Sequence, residues 1–196
     1  MTQKQDQIII GSILGDGCLE KNGTNHRLRF FHSPKQIEYL FWKYNSLIDL
    51  TISRPKTSFT ALQKKTKKRY LTCHFSTLTL KELNCYRELF YQNKKKIVPL
   101  KIKKLLTPLA LAVWYMDDGY KRNDCSALRI NSDSFTLNEQ QILKNALEEN
   151  FNIEVHIHKK GKYFNLYIPS KYSQKFSKIV CPYIVPSMRY KLALTP

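Results

Sequence analysis

The chain of 196 residues carries 33 lysines and arginines against 15 aspartates and glutamates, a formal charge of +18, and 42% of it is hydrophobic. Apolar content at that level excludes a disordered tail, and no apolar run approaches the ~20 residues of a membrane span. The charge excess calls for a polyanionic partner, nucleic acid ahead of an anionic membrane surface.

The N-terminus lacks the order of a signal peptide. Its first patterned stretch, Ile8 to Gly17, is an apolar helical run that closes on Asp16 and Gly17. Gly11 and Gly15 stand at i, i+4 and permit close backbone approach. A strand-like stretch from His26 to Ser33 follows, with Arg27 and Arg29 on one face. Residues 34–48 then read as a helix with Ile37, Leu40, Phe41, Tyr44, Leu47 and Ile48 on one side. A hairpin is expected from Ser58–Gln63 and Arg69–Thr77, joined by a basic turn. A short helix around Leu83–Tyr91 leads to the tripeptide Ile97–Pro99. Residues 93–106 form a basic, solvated seam between an N-terminal half, 1–92, and a C-terminal half, 107–196, of one domain.

The second half repeats this order. Thr107 is a good N-cap and Pro108 a good first helical residue. The apolar run after them ends in Asp117 and Asp118, with Gly119 as the capping glycine. Asp16 and Asp118 are 102 residues apart (118 minus 16), and Leu28–Phe30 answers to Leu128–Ile130. Arg129 and Asn131 share a strand face. A helix over 136–151 places Ile142, Leu143, Ala146, Leu147 and Phe151 together. The hairpin Ile153–His158 and Tyr163–Ser170 turns on Lys159, Lys160 and Lys162, and a helix around Tyr172–Val180 leads to Ile184–Pro186. The five cysteines are odd in number and form no CxxC pair, so they read as reduced thiols of an intracellular protein.

Carboxylates at a helix C-terminus face the negative end of the macrodipole, at about 0.3–1 kcal/mol each when exposed. Two helices packed about a twofold would bring both ends together and concentrate negative potential in a basic protein. A hard divalent cation relieves it: Mg²⁺ takes few protein carboxylates and keeps positions for water and phosphate oxygens.

The stretches Ile9–Gly17 and Leu111–Gly119 resemble the two copies of the LAGLIDADG motif of single-chain homing endonucleases. Leu106–Lys121 and the closing Val185–Leu192 are similar to the mitochondrial omega-intron subgroup. The resemblance implies an α+β fold of two pseudo-twofold αββαββα halves, with the motif helices at the interface and antiparallel sheets forming a DNA-binding saddle. It implies a metal-dependent nuclease that leaves short 3′ overhangs, with Mg²⁺ as cofactor and Mn²⁺ as substitute. Asp16 and Asp118 become the metal-binding catalytic acids, the Gly15 and Asp117 carbonyls further ligands, and Lys96, Lys191 and Lys121 the basic side chains that assist near the scissile phosphates. In such a saddle Arg27, Arg29, Arg129 and Asn131 are candidate base contacts. The turn residues Lys64, Lys65, Lys67, Lys68, Arg69, Lys159, Lys160 and Lys162 are candidate phosphate contacts. A monomer on a long double-stranded DNA site is expected, encoded in a eukaryotic organelle, mitochondrion ahead of chloroplast. The alternative is an RNA maturase that binds intron RNA.

Overall fold

The structure, a computed structural model, describes residues 1–62 and 66–193; Lys64 and Lys65, expected as phosphate contacts, lie outside the described residues. The chain forms α1 (Gln3–Leu14), β1 (Cys18–Asn22), β2 (Asn25–His32), α2 (Ile37–Ser46), β3 (Lys56–Phe59), β4 (Leu71–Ser76) and α3 (Leu83–Phe90). A minimal ladder of β5 (Tyr91–Gln92) and β6 (Lys95–Lys96) and a short α4 (Ile102–Leu105) follow. Then come α5 (Pro108–Asp118), β7 (Gly119–Lys121), β8 (Leu128–Ile130), α6 (Leu137–Phe151), β9 (His156–Lys160), β10 (Tyr163–Ile168) and α7 (Ser170–Val180). Each half therefore runs αββαββα. No helix among the described residues is long and apolar enough to cross a membrane.

The sheets repeat as well. Their strand orders are β1-β2-β4-β3 and β7-β8-β10-β9, all neighbours antiparallel. One face of each sheet is core: Leu19, Leu28, Phe30 and Phe75 in the first, Leu128, Ile130, Leu166 and Ile168 in the second. Strand alternation sends the basic residues the other way.

Helices α1 and α5 pack against each other at the centre. Eight successive residues of α5, Leu109 to Met116, are buried, as expected of a helix that is apolar all round. Gly11 allows the approach: a Cβ there would meet the Ala110 carbonyl and lie 2.8 Å from Val113 Cβ. Both helices start firmly. Thr2 and Gln5 form a capping box on α1, and the Thr107 hydroxyl accepts from the Ala110 N–H, in line with the preference for hydroxyls at N-caps.

Several expectations need correction. Helix α2 is present, but its inner face is Tyr39, Leu40 and Lys43, while Ile37 and Phe41, and Ile48 beyond its end, are exposed. The helix is rotated because Tyr39 donates to the Val113 carbonyl at 3.1 Å and Lys43 reaches the end of α5. Gly119 is not a left-handed cap; at φ −82°, ψ 154° it already belongs to β7, and glycine is needed because the Tyr115 ring fills the space of a Cβ. The second hairpin starts later than Ile153. Phe151 ends α6, Asn152 is left-handed, and Glu148 accepts from the Val155 N–H at 3.0 Å. Lys159 and Lys160 thus extend β9, and the turn is Gly161–Lys162. Residues 93–106 are not simply solvated: Val98, Ile102 and Leu106 join the core and α4 packs on α6.

Candidate active site at the ends of the motif helices

The two central helices end differently. α5 continues through Asp118, whereas α1 stops at Leu14 and Gly15 caps it, so Asp16 projects from non-helical backbone. Helix ends leave carbonyls without intrahelical partners, and here lysines take them. Lys96 on β6 donates to the Gly15 carbonyl at 2.5 Å. Lys191, in the closing turn Pro186–Lys191, donates to the Met116 carbonyl at 2.5 Å and the Asp117 carbonyl at 3.3 Å. Lys96 from the joining segment and Lys191 from the C-terminal half thus reach the carbonyls just before the two motif aspartates. The carbonyls of Gly15 and Asp117, expected as metal ligands, are ammonium acceptors in this arrangement. The Tyr115 hydroxyl fixes the closing turn by donating to the Lys191 carbonyl at 2.6 Å.

The carboxylates crowd one another. Burial pushes Asp118 up to about 8, with Asp16 and Asp117 adding to the rise. Asp16 is raised by the same causes, burial first and then Asp117, although its side chain reaches solvent. Burial lowers the Lys96 and Lys191 ammonium pKa values, against the pull of the nearby aspartates. Among the described residues neither Asp16 nor Asp118 is in an ion pair. Two hard oxygen donors without a direct ion-pair partner among the described residues, one from each half, fit a divalent cation such as Mg²⁺.

The Asp117 side chain does something else. It has no solvent exposure, accepts from Lys43 Nζ at 2.7 and 3.0 Å, and accepts from the Asp16 backbone N–H at 3.2 Å. His32 lies behind it, its Nε2 3.8 Å from Asp117 Oδ1. Burial and Lys43 push His32 down to about 4, so the imidazole is neutral at neutral pH. Sequence reasoning missed Lys43 and His32. The available signal was a lysine three residues after Leu40 and four after Tyr39, on an otherwise apolar stripe.

Lys121 stands apart. It is exposed and lines a cleft with Arg129, Tyr190 and Lys191, but it does not contact these carbonyls. On the first sheet Arg27 and Arg29 share the Glu20 carboxylate, at 2.8 and 3.1 Å, and Arg29 lies over the Phe31 ring at 4.7 Å. On the second, Arg129 lies over Tyr167 at 5.6 Å, and Asn131, just past β8, is exposed. Lys67, Lys68 and Arg69 are exposed beyond β3, as are Lys159, Lys160 and Lys162 around the other turn.

Comparison with known proteins fits this architecture. Residues 6–176 match the model of the LAGLIDADG DNA endonuclease family. The DNA endonuclease I-ChuI of Chlamydomonas applanata is 34% identical, over 98% of this chain and 96% of its own length. The cytochrome b mRNA maturase bI2 of Debaryomyces hansenii is 36% identical, over 95% of this chain and 72% of its own. The homing endonuclease I-WcaI, solved bound to its DNA recognition sequence, superposes over 100% of this chain and 88% of its own, with a TM-score of 0.90 and 28% identity.

Proposed function

The chain belongs to the LAGLIDADG DNA endonuclease family, and from that premise we propose that it is a site-specific, metal-dependent homing endonuclease. It acts as a monomer on a long double-stranded DNA site and leaves short 3′ overhangs. One observation carries the reading: a motif end from each half meets the other in a single centre of aspartates and lysines. Two such ends suit two scissile phosphates, one per strand.

Asp16 and Asp118 would hold the divalent cation, Mg²⁺ or Mn²⁺, which when bound supplies charge neutralisation at the phosphate and a more acidic ligated water. Lys96 and Lys191 hold the carbonyls before the two motif aspartates, and each feels both Asp16 and Asp118. Their ammonium groups would stabilise charge that builds on the phosphate oxygens, and release of the carbonyls they now hold would accompany substrate binding. Lys121 would assist from the outer cleft. Arg27, Arg29, Arg129 and Asn131 would read base edges in the major groove. Lys64, Lys65, Lys67, Lys68, Arg69, Lys159, Lys160 and Lys162 would position the duplex through its phosphates. In this reading residues 1–92 and 107–196 are two pseudo-repeats of one domain, joined by 93–106.

A second reading, a role in intron splicing, is favoured by the 36% identity to the bI2 maturases of Debaryomyces hansenii and Saccharomyces cerevisiae. Those relatives also support an intron-borne gene in an organelle, mitochondrion ahead of chloroplast. The test is digestion of a randomised double-stranded DNA library with Mg²⁺, with Ca²⁺ as the control for binding without turnover. Metal-dependent cutting at one long site with 3′ overhangs is expected. No cutting, with retention of a structured intron RNA, would replace the endonuclease by the maturase.

A further inference from the structure

The halves do not mirror each other at the residue before the motif aspartate: the first has Gly15, the second Asp117. Only one of the two positions has room for a side chain. A Cβ on Gly15 would lie 2.6 Å from both Cβ and Oδ2 of Asp117. The Asp117 carboxylate fills that space and crosses into the first half, where it meets Lys43 of α2 and the Asp16 N–H.

Lys43 is built into place. Its side chain is wholly buried, and Nζ lies 4.5 Å from the Tyr39 ring centre and 5.2 Å from that of Phe30. It also faces His32 Nε2 at 3.4 Å, while His32 Nδ1 faces the Gln36 Oε1 acceptor at 3.1 Å. That pairing assigns the imidazole proton to Nδ1 and leaves the Nε2 lone pair to the ammonium. Donor atoms of Asp16, His32 and Asp117 lie within 4.8 Å of one another, a spacing that could suit a metal ion. The cation already held there is Lys43. Buried ion pairs contribute little net stability, and apolar replacements often serve as well or better, so packing does not account for this one.

The two acids differ in what supports them. Asp118 sits on the last turn of its own helix. Asp16 lies beyond the end of α1; the flanking Gly15 and Gly17 N–H groups return to the Gly11 and Ser12 carbonyls of that helix, but its own N–H goes to the Asp117 carboxylate, and Lys96 takes the carbonyl before it. We propose that Lys43 and Asp117 are a positioning pair, a clamp across the seam that fixes Asp16 and makes the two cleavage centres unequal. The clamp has no counterpart on the other side, because Gly15 offers no side chain. Its loss removes the support of the Asp16 backbone, whereas Asp118, which feels Asp117 only through its charge, keeps the support of its own helix.

This inference rests on the endonuclease reading, and the two can fail separately. The experiment follows both strands of a doubly end-labelled target duplex, and nicked circles from a plasmid carrying it, for the wild type, Lys43→Met, Asp117→Asn and the double variant. Affinity for the duplex in Ca²⁺ is measured in parallel. The expected result is that either single change slows one strand at least tenfold more than the other, so that nicked circles accumulate. Affinity stays within threefold, and the double variant is no slower than the worse single one. Equal slowing of both strands, or no slowing, in variants that fold and bind would overturn the clamp. If Lys43→Met does not fold, Asp117→Asn, which keeps the size and an acceptor oxygen, decides alone. A wild type that cuts neither strand would remove the endonuclease reading and the clamp with it.

Discussion

Asp118 carries its charge against burial and two neighbouring carboxylates, which hold its pKa near 8 in place of the ordinary 3.8. Between those values the folded protein binds more protons than the unfolded chain, so this group removes stability as pH rises from about 4 to 8. A divalent cation on the ionised carboxylate must displace about one proton at pH 6 but only about half of one at pH 8. Mg²⁺ is therefore expected to raise the melting temperature more at pH 8 than at pH 6. The metal-free Asp118→Asn protein should melt higher than wild type at pH 8, by about 2–4 °C per kcal/mol recovered. Scanning calorimetry at the two pH values checks this; an equal Mg²⁺ shift at both would contradict it. His32 has the opposite sign: held near 4, it removes stability as pH falls from about 6.5. The aspartates were legible in sequence because each belongs to a local pattern, an apolar run closed by acid and glycine. Lys43 was harder to see: the apolar stripe around it hints at burial, but the partner that explains it lies 74 residues away.

At the scale of elements, Gly11 sets how closely α1 and α5 approach. Gly11→Ala places a methyl against the Ala110 carbonyl and Val113, and overpacking of this kind costs typically 1–3 kcal/mol. A lower urea midpoint at unchanged slope is expected, and a loss under about 0.5 kcal/mol, within the range of neutral surface changes, would show that the interface relaxes freely. Periodicity located the helices well but not always their phase. In α6 the inner residues Leu143, Ala146, Leu147 and Phe151 were readable, and only Ile142 sits partly outside. In α2 apolar residues surround the axis, and tertiary contacts of Tyr39 and Lys43 chose a different side from the one that apolar counting favours. Strand limits shifted where side chains intervened, as Glu148 does ahead of β9. The seam was misjudged because lysines dominate its composition while Val98, Ile102 and Leu106 do its packing.

Over the whole molecule, the repeat was the most legible feature. An offset near 100 residues joins motif to motif and strand to strand, and the two sheets share one strand order. Within that symmetry the mismatch of Gly15 and Asp117 is visible in the sequence, but its consequence shows only in the space between the helices. In the proposed function Asp16 and Asp118 perform chemistry and do not hold DNA. The most direct measurement compares Asp16→Asn and Asp118→Asn with wild type, for cleavage of the target in Mg²⁺ and for affinity to the same duplex in Ca²⁺. Cleavage is predicted to fall by at least a thousandfold in each variant, with affinity within a few fold. Cleavage that survives in both variants, or affinity lost in step with it in folded protein, would contradict the claim.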